Sequence, residues 1–302
     1  MNIERIGLLG LGEVGAILAR DLLEVTPVEI QVWDHLLDDA TAPAARHYDA
    51  LAENARISRA VTAAGAFAGC QLVLSAVTAD QALAAATSVM PDFPAGCWFV
   101  DFNSVSPATK IALAFEVENA GGYFVEAAVL SPIMPLRMGA PILLAGPRAA
   151  AFEPVGQALG FGDMSAVSAE PGVAAATKMC RSVMIKGMEA LVSESLLAAR
   201  HYGVEETVLA SLNNLFPRPD WPAHARYLIS RTLQHGTRRA AEMREVARTV
   251  SEAGIEPWMS EACVLRQDWA PAYRDALGEE SLDGMLDAML AQIKNPEITT
   301  NR

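Results

Sequence analysis

The stretch IGLLGLGEVGAILAR (residues 6–20) runs from an apolar segment through Gly10-x-Gly12-x-x-Gly15 into helical spacing. It predicts a buried strand, a tight turn and a helix. Gly10 permits the turn, Gly12 lets the backbone approach a pyrophosphate, and Gly15 lets the helix pack against the sheet. The anion then sits at the helix N-terminus, where unpaired N–H groups and the helix dipole favour it. On this reading Gly10, Gly12, Glu13, Val14 and Gly15 hold a dinucleotide. A glycine-rich structural turn is the plainer alternative, and the next strand weighs against it. EIQVW (29–33) is followed by Asp34, 24 positions after Gly10, where a carboxylate binds adenosine ribose hydroxyls and repels a 2′-phosphate. Asp34 therefore favours NAD, with NADP as the alternative, and His35 beside it softens the preference.

Outward from this loop, RIGLLG, VEIQVWD, CQLVLSAVT, CWFVDFNS, GYFVEAAVL and PILLAGP read as strands, with helical patterns between them. Near-continuous apolar strands alternating with amphipathic segments predict an α/β domain with a parallel, doubly wound, Rossmann-like sheet. Two strand ends extend the cofactor edge, because ligands of open α/β sheets bind outside the carboxyl ends of strands. These ends carry Val77 and Thr78, then Asn103 and Ser104. Helix capping is the competing role for Thr78, Ser104 and Ser106, and Pro107 favours a cap at Ser106.

After about residue 169 the pattern becomes helical. Residues 1–168 are expected to form the dinucleotide-binding domain. Residues 169–302 are expected to form an all-helical domain opening with a long helix from Gly172 to Arg200, punctuated at FPRPDWP, HG, AGIEPW and NP. No internal repeat is found.

The 302 residues suffice for two cores, and 52% hydrophobic with 20% charged residues argues against disorder. A net charge of −13 without a Lys/Arg block argues against nucleic acid or an anionic membrane surface as partner. MNIERIGLLGLG carries no secretory-signal pattern, and no apolar run reaches the roughly 18 residues of a membrane span. Cys70, Cys97, Cys180 and Cys263 are scattered without a C-x-x-C, which suits reduced thiols in the cytoplasm and no metal site.

Taken in order, GLLGLGEVG, VDFNSVSP, FVEAAVLSP and GVAAATKMCRS resemble the β-hydroxyacid dehydrogenase superfamily, which includes 3-hydroxyisobutyrate and 6-phosphogluconate dehydrogenases. K-x-x-R-S at Lys178–Ser182 and H-x-x-R-R-A-x-E-M at His235–Met243 resemble a divergent phosphogluconate-dehydrogenase-like subgroup. The resemblance implies a Rossmann-like domain, an all-helical C-terminal domain, a small-molecule substrate and a homodimer or higher homo-oligomer. It places the family's catalytic lysine on Lys178. A lysine there donates or accepts a proton at the substrate oxygen while hydride moves to or from nicotinamide, and partial burial would lower its pKa from roughly 10.4. A lysine snorkelling from a packed helix is the bland alternative.

The departures from the family pattern bear on substrate. Ser182 stands where the family has asparagine, with Arg181 before it, and Ile185 replaces the glutamate proton donor of decarboxylating members. The substrate loop reads SPIMPLRMGAP, so either Leu130 or Ser131 holds the family's serine position, with Ser131 a candidate substrate ligand. Arg137 in that loop either meets an acid group or is a surface charge. The family's lysine–aspartate pair reads Ala241–Glu242, so Arg238, Arg239 or His235 is the candidate replacement charge. At 100° per residue Lys178, Ser182, Ile185 and Glu189 share a helix face. Lys186 lies about 80° off that face, which reads as a solvated or interface charge, while Glu189 reads as a buried partner. The leading expectation is an NAD(P)-dependent oxidoreductase acting on a hydroxy acid or related alcohol or carbonyl. The alternatives are an imine or enamine reductase on the same scaffold and a non-catalytic nucleotide-binding protein.

Overall fold

The computed structural model describes residues 3–212, 220–252, 254 and 256–294. The chain divides into two compact units, Met1–Met179 and Cys180–Arg302.

The first unit is built on eight strands: β1 (Arg5–Leu9), β2 (Glu29–Trp33), β3 (Ile57–Arg59), β4 (Leu72–Ser75), β5 (Trp98–Asp101), β6 (Tyr123–Val129), β7 (Pro141–Ala145) and β8 (Asp163–Ser168). They lie in the order β3-β2-β1-β4-β5-β6-β7-β8. The pairs from β3 through β6 are parallel, as the apolar runs predict. The parallel, doubly wound sheet has one reversal, at β7, which runs antiparallel to β6. The segment between these two strands is only residues 130–140, too short for the helical crossover that a parallel return requires. Helices α1 (Glu13–Val25), α2 (Pro43–Leu51), α3 (Ala82–Val89), α4 (Pro107–Asn119) and α5 (Ala149–Ala158) cover the sheet.

Alternation along the strands fills two cores. Ile6 and Leu8 of β1 join Leu18 and Leu22 of α1 in one cluster, while Leu9 joins Val73, Phe99, Phe124 and Leu113 in the other. Gly7 is pinned by this packing, since a Cβ there would lie 2.4 Å from the Phe67 ring. Burial raises the Cys70 thiol to about 12, as suits an inert core residue.

Strand register aligns the carboxyl ends. Leu9 pairs with Trp33 and with Ser75, Ser75 with Asp101, and Asp101 with Glu126. Gly10, Asp34 and the segments after Ser75 and Asp101 therefore emerge side by side on one edge. In-register residues of parallel strands share a face, so Ser75, Asp101 and Glu126 form a polar row on one side of the sheet, and all three are fully buried.

Helix α6 (Val173–Tyr202) begins in the first unit and continues into the second. The second unit further contains α7 (Glu205–Leu212), α8 (Trp221–Glu252), α9 (Trp258–Trp269), a 3-10 segment at Ala270–Gly278 and α10 (Leu282–Lys294). Its apolar core joins Leu196 and Leu197 of α6 to Ile229 and Leu233 of α8 and Met285 and Met289 of α10. Asp220 accepts from Ala223 N at 3.2 Å and starts α8 beside Trp221, while the FPRP part of that break and the NP pair lie outside the described residues. The break expected at HG is not there: His235 and Gly236 lie inside the 32-residue α8. Gly236 serves a close approach instead, since a Cβ would meet Gln267 O at 2.3 Å and Pro271 Cδ at 2.7 Å. Among the described residues no helix is long and apolar enough to cross a membrane.

Candidate active site

Gly10 has φ +94°, and its N–H donates to Trp33 O at 2.9 Å. A Cβ there would meet Ala76 O at 2.6 Å, and one on Gly15 would meet Gly10 O at 2.2 Å. These two glycines are demanded by the turn and by the closeness of α1 to it. Gly12 differs, because a Cβ on it would meet nothing within 4 Å. The chain's own packing leaves that face open, as close approach of an external group requires. Gly12 is also the N-cap of α1 and has no side chain to offer the first-turn N–H groups, so these remain available to an anion.

Asp34 is held against the same loop. Its Oδ2 accepts from Leu11 N at 2.8 Å and its Oδ1 from Leu36 N at 2.9 Å. A carboxylate has about four acceptor positions, so capacity remains for hydroxyl donors. His35 lies 3.7 Å from Asp34 Oδ1 and is largely exposed. His47, which the sequence reading missed, meets Leu11 O through Nδ1 at 2.9 Å and steadies the loop from the other side.

Below the next strand ends lies a buried polar network. Lys110 Nζ donates to Asp101 Oδ2 at 2.5 Å and to Asp101 O at 2.9 Å, with side-chain exposures of 1% and 0%. Asn103 Nδ2 donates to Asp101 Oδ1 at 2.5 Å and to Ser75 Oγ at 2.9 Å, while its Oδ1 accepts from Val77 N at 2.7 Å. The Asn103 side chain is thus turned inward, where it fixes the backbone at Val77. Ser106 caps α4, accepting from Thr109 N at 3.2 Å. The Thr78 hydroxyl bonds Asp80 and helps hold that carboxyl below its usual range. The only sequence sign of this network is an acid ending an apolar strand and a lysine inside an apolar helix.

Lys178, half-buried on α6, donates from Nζ to Ser104 Oγ at 2.5 Å. The lysine singled out on the long helix and the serine singled out at the β5 edge are therefore neighbours. The start of α6 is fixed by another residue missed from sequence. Glu126, fully buried on β6, accepts from Gly172 N at 2.7 Å, Ala174 N at 2.6 Å and Ala175 N at 3.1 Å. Its signal was a lone acid inside the apolar run YFVEAAV. Ser131 is half-buried and donates to Pro132 O at 3.0 Å, next to Leu130, whose N–H donates to Pro141 O at 2.9 Å. Arg137, in the left-handed region at φ +54°, pairs with Asp21 of α1, which raises the guanidinium's pKa.

The remaining candidates belong to the second unit. Lys186 is not a solvated charge: only 12% of its side chain is exposed, and Nζ lies 3.0 Å from Glu242 Oε2 and 3.3 Å from Ser182 Oγ. Its flexible stem carries the ammonium away from its helical-wheel position to a partner on α8. Burial lowers the Lys186 pKa, against the opposing pull of Glu242. Glu242 also pairs with Arg238. Glu189 is buried, as expected, and its partner is Arg239. His235 Nε2 lies 3.1 Å from Arg231 Nη1, and Arg181 is exposed. Among the described residues no group of three or more His, Cys, Asp or Glu gathers as for a metal ion.

Comparison with known proteins places the chain in a family. The family described as the NAD binding domain of 6-phosphogluconate dehydrogenase matches residues 5–169. A domain of unknown function (DUF1932) matches residues 199–269. Human mitochondrial 3-hydroxyisobutyrate dehydrogenase is 22% identical over 217 residues, which cover 72% of this chain and 63% of that protein. The crystal structure of a conserved hypothetical protein from Sinorhizobium meliloti 1021 is 33% identical with a TM-score of 0.75, over 96% of this chain and 97% of that one. The Mycobacterium tuberculosis 3-hydroxyisobutyrate dehydrogenase solved with L-serine shares the fold at 16% identity and a TM-score of 0.70, over 96% and 99% of the two chains.

Proposed function

We propose that this chain, which belongs to the β-hydroxyacid dehydrogenase superfamily, is a nicotinamide-dependent oxidoreductase that interconverts a hydroxy acid or related alcohol with its carbonyl. The observation that carries the reading is the placement of Lys178 Nζ 2.5 Å from Ser104 Oγ. Ser104 lies on the sheet edge where the glycine loop and Asp34 also emerge.

Gly12 and the first turn of α1 would hold the pyrophosphate, and Asp34 the adenosine ribose, with NAD preferred over NADP because a carboxylate repels a 2′-phosphate. Bound there, nicotinamide supplies the hydride acceptor or donor at its ring carbon. In the oxidative direction neutral Lys178 takes the hydroxyl proton as the carbon gives up its hydride, leaving a carbonyl. In reverse, protonated Lys178 gives its proton to the carbonyl oxygen as hydride arrives. Ser104 accepts from the ammonium and orients it. Ser131 is the proposed hydrogen-bonding group toward substrate within the first unit. Arg239 is not proposed as a substrate ligand, because Glu189 already takes its charge.

Nicotinamide reduction across a panel of hydroxy acids and alcohols tests the reading. The wild type should turn over at least one class, and Lys178→Ala should bind NADH yet lose turnover by about 10²- to 10⁴-fold, the usual worth of a general acid or base. Turnover of cyclic imines alone would favour the reductase alternative. NADH binding without turnover of any class would leave a nucleotide-binding protein.

A further inference from the structure

We infer that Glu126 is the positioning residue for Lys178: a carboxylate lent by β6 to cap the helix that carries the proton-transfer group. The inference rests on the proposed role of Lys178, and its evidence lies wholly within the unit Met1–Met179.

The N-cap position of α6 is filled by Gly172, whose φ of +97° and lack of a side chain leave the helix without a cap of its own. Capping normally takes a side-chain oxygen that accepts from the second and third helical N–H groups. Here Glu126 Oε1 accepts from those two groups, Ala174 N at 2.6 Å and Ala175 N at 3.1 Å, while Oε2 accepts from Gly172 N at 2.7 Å. Both oxygens are engaged, so the carboxylate fixes both the height of the first turn and its rotation about the helix axis. Its charge also sits at the positive end of the helix dipole.

Two further contacts brace the same turn. A Cβ on Gly172 would lie 3.2 Å from Pro107 Cβ and Pro107 O, so the helix start sits closely on the start of α4. Ala174 packs against Ala128 and Ala145 of the sheet. Lys178 follows Ala174 by one helical turn and meets Ser104, three residues before Pro107. Glu126 is thus joined to Lys178 by a single turn of helix, and the acceptor of Lys178 is joined to the surface that Gly172 touches. A shift of the first turn moves Nζ relative to Ser104, and proton transfer is sensitive to displacements of about 1 Å.

Two readouts on the full chain test this. The first is trace acetylation of lysines at pH 8, read by peptide mass spectrometry as the labelling rate of Lys178 relative to exposed Lys294. The second is the split between kcat and NADH affinity. Glu126→Gln keeps the size but puts a donor against N–H groups; it should raise Lys178 labelling about threefold or more and lower kcat about tenfold, with NADH affinity within about twofold. Glu126→Asp keeps the charge and gives smaller changes of the same sign, a partial rescue. Unchanged labelling and kcat together with a lowered unfolding midpoint would make Glu126 a purely structural cap and overturn the inference. If Glu126→Gln does not fold, Glu126→Asp decides by the same two readouts. If the wild type turns nothing over, the proposed function has failed, while labelling alone still decides whether Glu126 places Lys178.

Discussion

Glu189 and Arg239 form an ion pair in the core of the helical unit, with side-chain exposures of 2% and 7%. The pair joins α6 to α8 and takes up an arginine that its sequence context had offered to substrate. Truncating one member of a buried pair leaves the other uncompensated, which costs about 3–5 kcal/mol. Arg239→Met should therefore lower unfolding free energy by about that amount in urea while KM changes less than about twofold. The double variant Glu189→Leu with Arg239→Met should recover most of the loss, since apolar replacement of both partners is often neutral. Preserved stability with a KM raised more than tenfold would return Arg239 to the substrate site.

Ser104 accepts from Lys178 at 2.5 Å. Ser104→Ala removes that acceptor and leaves the ammonium less well oriented. Loss of a hydrogen bond to a charged group is worth about 1.5–3 kcal/mol, so kcat should fall roughly 10- to 100-fold. NADH affinity should stay within a few fold, because the glycine loop and Asp34 are untouched. Steady-state kinetics beside a cofactor titration separate the two effects, and equal losses in both would make Ser104 a cofactor ligand first.

The glycine turn and the strand ends were legible because their signals are local: spacing within a turn, an apolar run and its last residue. The antiparallel β7 was not, since its apolar run reads alike in either direction and only the short connection from β6 sets its sense. The sequence left Lys186 open between a solvated and an interface charge because a helical wheel gives the angle of its Cα, while the charge sits at the end of a long stem beside Glu242, 56 positions away. Gly236 misread as a break because its cause, the backbone at Gln267, belongs to another helix. Glu126 and Lys110 were visible as charges in apolar runs, but their partners are non-local.

Asp34 bonds two backbone N–H groups and has acceptor capacity left over. Asp34→Ser removes the negative charge that repels a 2′-phosphate. NADPH affinity relative to NADH should rise about tenfold or more, chiefly through weaker NADH binding combined with relieved repulsion. Fluorescence titration of both cofactors with both proteins measures the ratio. Equal affinities in the wild type would refute the assignment of Asp34 as the discriminating residue.

Lys186 gives a pH dependence whose sign follows from its burial. Its folded pKa is lowered, chiefly by desolvation, while the unfolded chain titrates near the ordinary lysine value. Between the two values the unfolded state binds more protons, so stability contributed by this group rises with pH across that window. The cost of burying the ammonium is fully present below the folded pKa and is relieved as pH climbs toward roughly 10.4. Lys186→Met removes the group and with it this slope. The difference in urea unfolding free energy, wild type minus variant, should therefore increase from pH 7 to pH 10, although Glu242 keeps Arg238 as a partner in both proteins. A difference that falls over that range would mean that the ion pair with Glu242 outweighs desolvation, and that Lys186 is held charged in the fold.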